Sequence, residues 1–156
     1  MKKVLIFGSN GFVGPYLSKE LSSRGLNVYE SDISTTTNLK RDHYFSCDIT
    51  NSGAVFDLIS QVKPNYIVNL AAISSVSSSW KKPQLTYQIN VGGTINLLDS
   101  LVMQNNLPCK VLIVGSSEEY KQSNKPLSED SPLDSNNPYG LSKESQEKIA
   151  GLYSTK

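Results

Sequence analysis

The stretch "KVLIFGSNGFVG", residues 3–14, joins an apolar run typical of a buried strand to a turn in which glycine recurs every third residue. Gly8, Gly11 and Gly14 directly follow the predicted strand and open a predicted helix. A side chain at Gly8 or Gly11 would obstruct the tight turn or the approach of a pyrophosphate, and the N–H groups of a helix N-terminus favour that anion. This context favours a dinucleotide-binding loop over an ordinary strand-turn-helix glycine turn, the simpler alternative.

Asp32 stands at the end of the second predicted strand, roughly 20 residues past the glycines. A carboxylate at this place can accept hydrogen bonds from the ribose hydroxyls of an adenosine, whereas a 2'-phosphate would meet a like charge. We therefore expect NAD(H) to be preferred. NADP(H) stays possible because Lys40 and Arg41 follow in the next loop, and a solvated acid at a strand end is the simpler interpretation of Asp32.

Apolar runs of strand length alternate with segments of helical periodicity along the chain, as expected for strand-helix-strand units around a parallel sheet. Strands are predicted at residues 3–8, 27–32, 43–48, 66–72 and 110–116. Helices are predicted at residues 12–24, 51–64 and 84–105 and from Pro138 onward, and polar loops at 74–79 and 120–137. The predicted fold class is α/β, a Rossmann-like doubly wound parallel sheet with the strand order 3-2-1-4-5.

The composition favours a single globular domain that acts on a small molecule. The chain has 156 residues, 38% of them hydrophobic, and a formal net charge of +1, so no face for nucleic acid or for a membrane surface is indicated. No apolar run approaches the roughly 18 residues of a membrane span. Cys47 and Cys109 have neither disulfide-framework numbers nor metal-ligand spacing, so we expect no metal site and a reducing, cytoplasmic location.

The segment "NPYGLSK", residues 137–143, places Tyr139 and Lys143 four positions apart, so on a helix they share one face. An ammonium beside a phenol favours the phenolate form, which suits proton transfer near neutral pH. Ser116 leaves the carboxyl end of the fifth predicted strand, where open parallel sheets bind ligands. Taken alone, the tyrosine–lysine spacing is also typical of a solvated pair on any surface helix, but the glycine loop and Ser116 favour a catalytic set.

The motifs "GSNGFVG", "CDIT", "NLAA", "NVGGT", "GSSEEY" and "PYGLSK", taken together and in this order, resemble the extended short-chain dehydrogenase/reductase family. That family contains nucleotide-sugar epimerases, dehydratases and reductases, and the match runs through nearly the whole chain. The resemblance implies a nicotinamide cofactor and a nucleotide-sugar substrate. It implies a cofactor site built from these residues: Gly8, Asn10, Gly11, Phe12, Val13, Gly14, Asp32, Asp48, Ile49, Leu70, Ala71, Ala72, Asn90, Tyr139 and Lys143.

Within that implied site, Asp48 and Ile49 contact the adenine, the alanines of "NLAA" pass beneath the cofactor, and Asn90 lies in a helix that borders the active site. From the residues alone, other interpretations stay open. Asp48 is also suited to cap the helix that begins near Asn51, buried strands commonly carry alanines, and Asn90 is suited to a helix start.

The resemblance also implies the chemistry. Tyr139 exchanges a proton with a sugar oxygen while hydride moves between the sugar carbon and the nicotinamide, Ser116 hydrogen-bonds the same oxygen, and Lys143 holds the nicotinamide ribose. Glu118 stands where the dehydratases carry the acid and base that remove water from the sugar, so it is a further catalytic candidate.

The segments "VGSSEEY", "PLSED" and "NPYGLSK" are most similar to the GDP-6-deoxy-mannose reductases and the GDP-mannose 4,6-dehydratases. The expected activity is reduction of a GDP-4-keto-6-deoxy-mannose at sugar C4, with a GDP-linked hexose as substrate. A 4,6-dehydratase, a 4-epimerase and a non-catalytic dinucleotide-binding fragment stay as alternatives.

Two residues depart from the family pattern, and the chain covers only part of it. Pro15 removes an N–H beside the anion site, and Asn69 stands where the family often has histidine. Family members continue with further strands and a smaller domain that recognises the nucleotide-sugar. We therefore expect residues 1–156 to be the N-terminal part of an NAD(P)-binding Rossmann domain whose sheet is incomplete at its C-terminal end, a fragment without the substrate domain, from a full-length parent that is a homodimer.

Overall fold

Five parallel strands form one sheet, and their order is β3-β2-β1-β4-β5. The computed structural model describes residues 1–35, 43–104 and 107–154. The strands are β1 (Lys3–Phe7), β2 (Asn27–Asp32), β3 (Tyr44–Ser46), β4 (Tyr66–Asn69) and β5 (Lys110–Ile113). Both the predicted parallel α/β sheet and the predicted strand order are confirmed.

Six α-helices connect and cover the strands in the described part of the chain. They are α1 (Gly14–Ser23), α2 (Ser52–Val62), α3 (Val76–Lys81), α4 (Pro83–Tyr87), α5 (Gly93–Met103) and α6 (Pro138–Tyr153). Within these described residues, no helix is both long enough and apolar enough to cross a membrane.

The two faces of the sheet are buried separately, which is what a doubly wound sheet requires. In β1, Leu5 and Phe7 pack into one apolar cluster with residues of α2 and α5. Val4 and Ile6 point to the other face and pack against residues of α1. Because β1 is covered on both faces, its sequence is continuously apolar rather than alternating.

The strands are shorter at their carboxyl ends than the apolar runs suggested. The predicted strand at 66–72 ends at Asn69, because the Asn69 Oδ1 atom accepts the Ala71 N–H at 3.1 Å and turns the chain out of the sheet. The predicted strands at 43–48 and 110–116 likewise end at Ser46 and Ile113. The residues beyond these ends form the loops of the carboxyl edge.

The predicted long helix at 84–105 is wrong as a single element. It consists of α4, a π-helical turn at Gln88–Gly92 and α5. A β-carbon built on Gly93 would lie 2.7 Å from the Ile49 Cγ2 atom, so α5 begins where the chain approaches Ile49 closely. Apolar periodicity does not report this interruption, because the extra residue of a π turn leaves apolar residues on both sides of it.

The predicted loop at 74–79 is partly wrong, because α3 begins at Val76. Ser75 caps this helix by accepting the Ser78 N–H at 3.2 Å. The serine-rich composition concealed a helix whose start depends on a serine cap. The polar segment 120–137 is a loop, as predicted, closed by an antiparallel bridge between Tyr120 and Leu133.

Candidate active site

The glycine loop connects β1 to α1, and two of its glycines are required by backbone packing. Gly8 has a φ of +76°, and a β-carbon there would lie 2.5 Å from the Ala71 backbone nitrogen. A β-carbon on Gly14 would lie 2.1 Å from the Ser9 carbonyl oxygen. Gly11 differs, because its β-carbon would meet only the Gly8 oxygen, at 3.2 Å. Gly11 therefore makes a single tight contact within its own loop, and it lines the open cleft where a ligand could approach it.

The N-terminus of α1 faces this loop. Among the described residues no side chain caps it, and Pro15 lies in its first turn, as the sequence indicated. The absence of a side-chain cap leaves N–H groups of the first turn for an anion. Phe12 is 86% exposed and Val13 is also exposed, and the Phe12 ring contacts the Tyr16 ring at a centroid distance of 5.8 Å.

Asp32 ends β2 beside the glycine loop. Its Oδ2 atom accepts the Asn10 N–H at 3.0 Å, so the carboxylate helps to hold the loop. The Asn10 side chain turns away and donates to the Tyr44 hydroxyl at 2.9 Å. Lys40 and Arg41, which the NADP(H) alternative invokes, lie outside the described residues.

An open cleft of about 220 Å³ lies at the carboxyl edge of the sheet. Its lining includes eight of the residues proposed for the cofactor: Gly8, Gly11, Asp32, Asp48, Ile49, Leu70, Ala71 and Ala72. Four further lining residues were not predicted: Phe7, Ile33, Cys47 and Ile89. Burial raises the pKa of the Cys47 thiol to about 11, so this cysteine is a neutral wall residue.

Asp48 and Asn90 have local partners that the sequence did not reveal. Asp48 does not cap α2, because Asn51 caps it by accepting the Ala54 N–H, while Asp48 Oδ1 accepts from the backbone and hydroxyl of Thr50. Asn90 is buried inside the π-helical turn rather than at a helix start. Its amide bonds the backbone N–H and carbonyl of Ile73, and it donates to Ser142 Oγ at 2.8 Å. A direct role of Asn90 at the cofactor stays a prediction.

Ser116 follows β5 and begins a short 3₁₀ turn, Ser117–Glu119. Its Oγ atom accepts the Glu118 N–H at 3.2 Å, and its own N–H donates to Glu119 Oε1 at 2.6 Å. This reciprocal capping box fixes the orientation of the Ser116 side chain. Burial and the nearby Glu147 carboxylate raise the pKa of Glu119, a buried acid that sequence reasoning did not single out.

The first turn of α6 packs against this turn and so brings "NPYGLSK" to the carboxyl end of β5. A β-carbon on Gly140 would lie 2.2 Å from the Glu118 carbonyl oxygen, which shows how close the two segments are. Asn137 caps α6 through Oδ1 and donates from Nδ2 to Glu118 Oε2 at 2.8 Å. The Tyr139 N–H donates to Ser79 Oγ at 3.1 Å, which anchors the helix start to α3.

Lys143 lies one turn further along α6 and is only 4% exposed. Burial lowers the pKa of its ammonium, and the carboxylates of Glu119 and Glu147 act in the opposite direction. Its Nζ atom donates to Gln146 Oε1 at 2.5 Å. The structure therefore brings Ser116, Glu118, Tyr139 and Lys143 into one region, with Lys143 beneath the surface.

A Rossmann-like sheet with a glycine loop at its carboxyl edge, and a serine, a tyrosine and a lysine beyond its fifth strand, defines the extended short-chain dehydrogenase/reductase class. The family model described as GDP-mannose 4,6 dehydratase matches residues 5–156, and the chain belongs to that family within this class.

Similar proteins support this assignment. A UDP-glucose 4-epimerase of Lactobacillus helveticus is 34% identical over 153 residues, which cover 94% of this chain and 46% of the relative. A CDP-paratose 2-epimerase of Salmonella typhi is 30% identical over 90% of this chain and 49% of its own length. The crystal structure of UDP-glucose 4-epimerase from Brucella ovis in complex with NAD superposes with a TM-score of 0.90 at 26% identity, covering 99% of this chain and 48% of that one. The chain thus spans about half the length of the relatives it matches.

Proposed function

We propose that the protein is an NAD-dependent nucleotide-sugar oxidoreductase in which this chain supplies the cofactor cleft and the proton-transfer residues. The observation that carries the proposal is the packing of the Ser116 turn on the first turn of α6, at the same sheet edge as the cleft lined by Gly8 and Asp32. Open parallel sheets bind ligands at this edge.

The residues of the cleft fit a dinucleotide. Gly11 lines the cleft beside the uncapped start of α1, where a pyrophosphate would bind. Asp32 and Asp48 place carboxylates in a mainly apolar cleft that suits an adenosine. The Brucella ovis relative was solved in complex with NAD, which supports the same cofactor here. When bound, the nicotinamide would supply hydride to a sugar carbon or accept it from one.

The reacting groups then have separate tasks. Tyr139 would take a proton from the sugar hydroxyl or return it to the sugar oxygen. Ser116, oriented by its capping box, would donate a hydrogen bond to that oxygen. Lys143 would place its positive charge beside the phenol and bond the nicotinamide ribose. Ile49, Ala71 and the other wall residues would exclude water from the cleft.

Asp32 should set the preference between cofactors. The unaltered protein should bind NADH about tenfold or more tightly than NADPH, because the carboxylate repels a 2'-phosphate. Asp32→Asn removes the charge yet retains an acceptor for the Asn10 N–H. This variant should therefore reduce the difference between the NADH and NADPH affinities while leaving the glycine loop intact. Isothermal calorimetry with both cofactors measures this, with Asp32→Ala as the variant that also loses the loop contact. Equal affinities in the unaltered protein contradict the assignment.

Among the finer activities, we propose reduction of a GDP-4-keto-6-deoxy-mannose, because "SSEEY" is most similar to the reductases. The named relatives support a second candidate, a UDP-glucose 4-epimerase. The family model supports a third, the 4,6-dehydratase, for which Glu118 is exposed and held by Asn137. All three share the hydride step, so the candidates differ in substrate and not in the roles of Tyr139 and Lys143.

A substrate panel separates these candidates. The full-length protein should oxidise NADH stoichiometrically with GDP-4-keto-6-deoxy-mannose, which is followed by absorbance. A 4-epimerase would instead interconvert UDP-glucose and UDP-galactose with no net change in cofactor, and a dehydratase would form a keto sugar from GDP-mannose. Tight NADH binding without turnover of any of the three would favour the non-catalytic alternative.

Oligomeric state and location belong to the same proposal. Large apolar side chains are exposed on α5 and α6, including Val102, Met103 and Leu152. We propose that they contribute to a homodimer of the whole protein. Cys47 and Cys109 are both free, which suits the proposed cytoplasmic location.

A further inference from the structure

Three buried polar side chains connect the floor of the cleft to Lys143. Asn69, at the end of β4, is 2% exposed, Thr94 on α5 is 0% exposed, and Gln146 on α6 is 1% exposed. Asn69 holds the Ala71 N–H with Oδ1 and donates from Nδ2 to Thr94 Oγ1 at 3.3 Å. Gln146 Nε2 donates to the same Thr94 oxygen at 2.6 Å. Asn69, which departs from the family pattern, thus belongs to a connected network.

Lys143 and Thr94 together set the hydrogen-bond directions in this network, because the Lys143 ammonium can only donate. The single hydroxyl hydrogen of Thr94 goes to the Asn90 carbonyl oxygen at 2.8 Å, so its oxygen accepts from Asn69 and Gln146. The amide nitrogen of Gln146 must therefore face Thr94. Its carbonyl oxygen must face the other way, where it accepts from Lys143 Nζ at 2.5 Å. The network leaves one orientation for the Gln146 amide.

The buried ammonium of Lys143 requires a hydrogen-bond acceptor such as the Gln146 side-chain oxygen. A lysine carries its charge on a flexible four-carbon stem, and burial opposes the charged form unless polar groups compensate. Burial lowers the pKa of Lys143, against the carboxylates of Glu119 from the 3₁₀ turn and Glu147 from α6. Asn90 and Thr94, the polar groups that the π-helical turn and α5 contribute to this region, are uncharged. A side-chain oxygen held in a fixed position compensates the buried ammonium with a charge-assisted hydrogen bond.

We propose that Gln146 is a positioning residue whose side-chain carbonyl holds the Lys143 ammonium in the place from which it serves the cofactor ribose and Tyr139. This inference rests on the proposed function, because Gln146 acts only through Lys143. Gln146 itself is buried and does not line the cleft.

The test compares two substitutions that differ in the acceptor. Gln146→Leu removes the acceptor at nearly unchanged volume. Gln146→Glu retains an oxygen for Nζ, and Thr94 can turn its hydroxyl hydrogen from Asn90 to the second carboxylate oxygen. Gln61→Leu, the same change at an exposed glutamine of α2, is the matched control. On the full-length protein, calorimetry gives NADH affinity, steady-state kinetics give kcat and the sugar-nucleotide KM, and thermal unfolding of the cofactor-free protein gives Tm.

Gln146→Leu should weaken NADH binding and lower kcat, each by about tenfold or more, because a charge-assisted hydrogen bond is lost. The sugar-nucleotide KM should stay within about twofold of its normal value, since Gln146 acts on the lysine. Gln146→Glu should keep NADH affinity and kcat within about threefold of the unaltered protein. The control Gln61→Leu should have the same NADH affinity and kcat as the unaltered protein.

The opposite results are distinct. If both Gln146 variants lower Tm while NADH affinity and kcat of the folded protein stay normal, the residue is structural and the inference is overturned. Equal kinetic loss in the Leu and Glu variants also overturns it, because the acceptor then does not matter. If the unaltered protein binds no NADH, the proposed function fails. If it binds NADH and Gln146→Leu binds equally well, only the role of Gln146 fails.

Discussion

Replacing Tyr139 by phenylalanine should lower turnover on the order of 10²-fold or more, because the ring remains but the group that exchanges the proton is gone. Tyr139 is half-buried at the start of α6, and its backbone N–H, not its phenol, donates to Ser79. The substitution should therefore leave the helix start intact. Affinity for NADH should fall far less than kcat. Stopped-flow measurement of a single turnover with saturating sugar-nucleotide gives the rate of the chemical step.

Tyr66→Phe is the matched control for this result. Tyr66 is the first residue of β4 and so lies at the amino-terminal ends of the strands, opposite the cleft. Its hydroxyl accepts a hydrogen bond from Lys2. Losing that phenol should leave turnover unchanged. Equal turnover in unaltered protein and Tyr139→Phe would contradict the role assigned to the phenol, whereas equal loss in both tyrosine variants would point to a general effect on stability.

The order of the sheet followed from the sequence because the fold repeats one physical solution. Each parallel strand is buried on both faces and reads as an apolar run, and each crossover must be right-handed. β1 and β2 were therefore placed nearly to the residue. The break between α4 and α5 was missed because Gln88–Gly92 has a composition typical of a helix. Its π-helical hydrogen bonds span only one residue more than those of an α-helix. Helix α3 was missed because serine is typical of loops as well as of the cap that starts this helix.

The sequence predicted where the cleft lies, but it did not predict the contacts that hold the residues of the cleft in place. Gly8 was predicted to be needed for the tight turn or for the approach of a pyrophosphate. Its φ of +76° fits the turn, but its packing against the Ala71 backbone is a contact between segments far apart in the chain that the sequence did not reveal. Asp48 and Asn90 were found by motif, yet their hydrogen bonds with Thr50 and Ile73 depend on local geometry. Gln146 on α6 and Thr94 on α5 are hydrogen-bonded between two helices, and the residue spacing within either helix does not predict this contact.

Gly8→Ala should lower the free energy of unfolding by about 2–5 kcal/mol, the sum of a left-handed backbone penalty of about 1–2 kcal/mol and an overpacking cost of about 1–3 kcal/mol. The backbone at Gly8 has a φ of +76°, and the new β-carbon would overlap the chain at Leu70 and Ala71, where no flexible side chain can move aside. Relieving that overlap would move the glycine loop away from β4 and widen the floor of the cleft. NADH affinity should fall together with stability.

Gly25→Ala separates the two contributions, because Gly25 has a φ of +77° but nothing lies within 4 Å of its β-carbon position. Its cost should be the backbone penalty alone, about 1–2 kcal/mol, and it should leave NADH affinity unchanged. Urea unfolding of both variants, with the slope checked for a common unfolded state, measures the difference. If the two alanines destabilise equally, Gly8 is required only for its backbone conformation. If Gly8→Ala costs more and also weakens NADH binding, the contact between the glycine loop and the segment that follows β4 is what shapes the cofactor cleft.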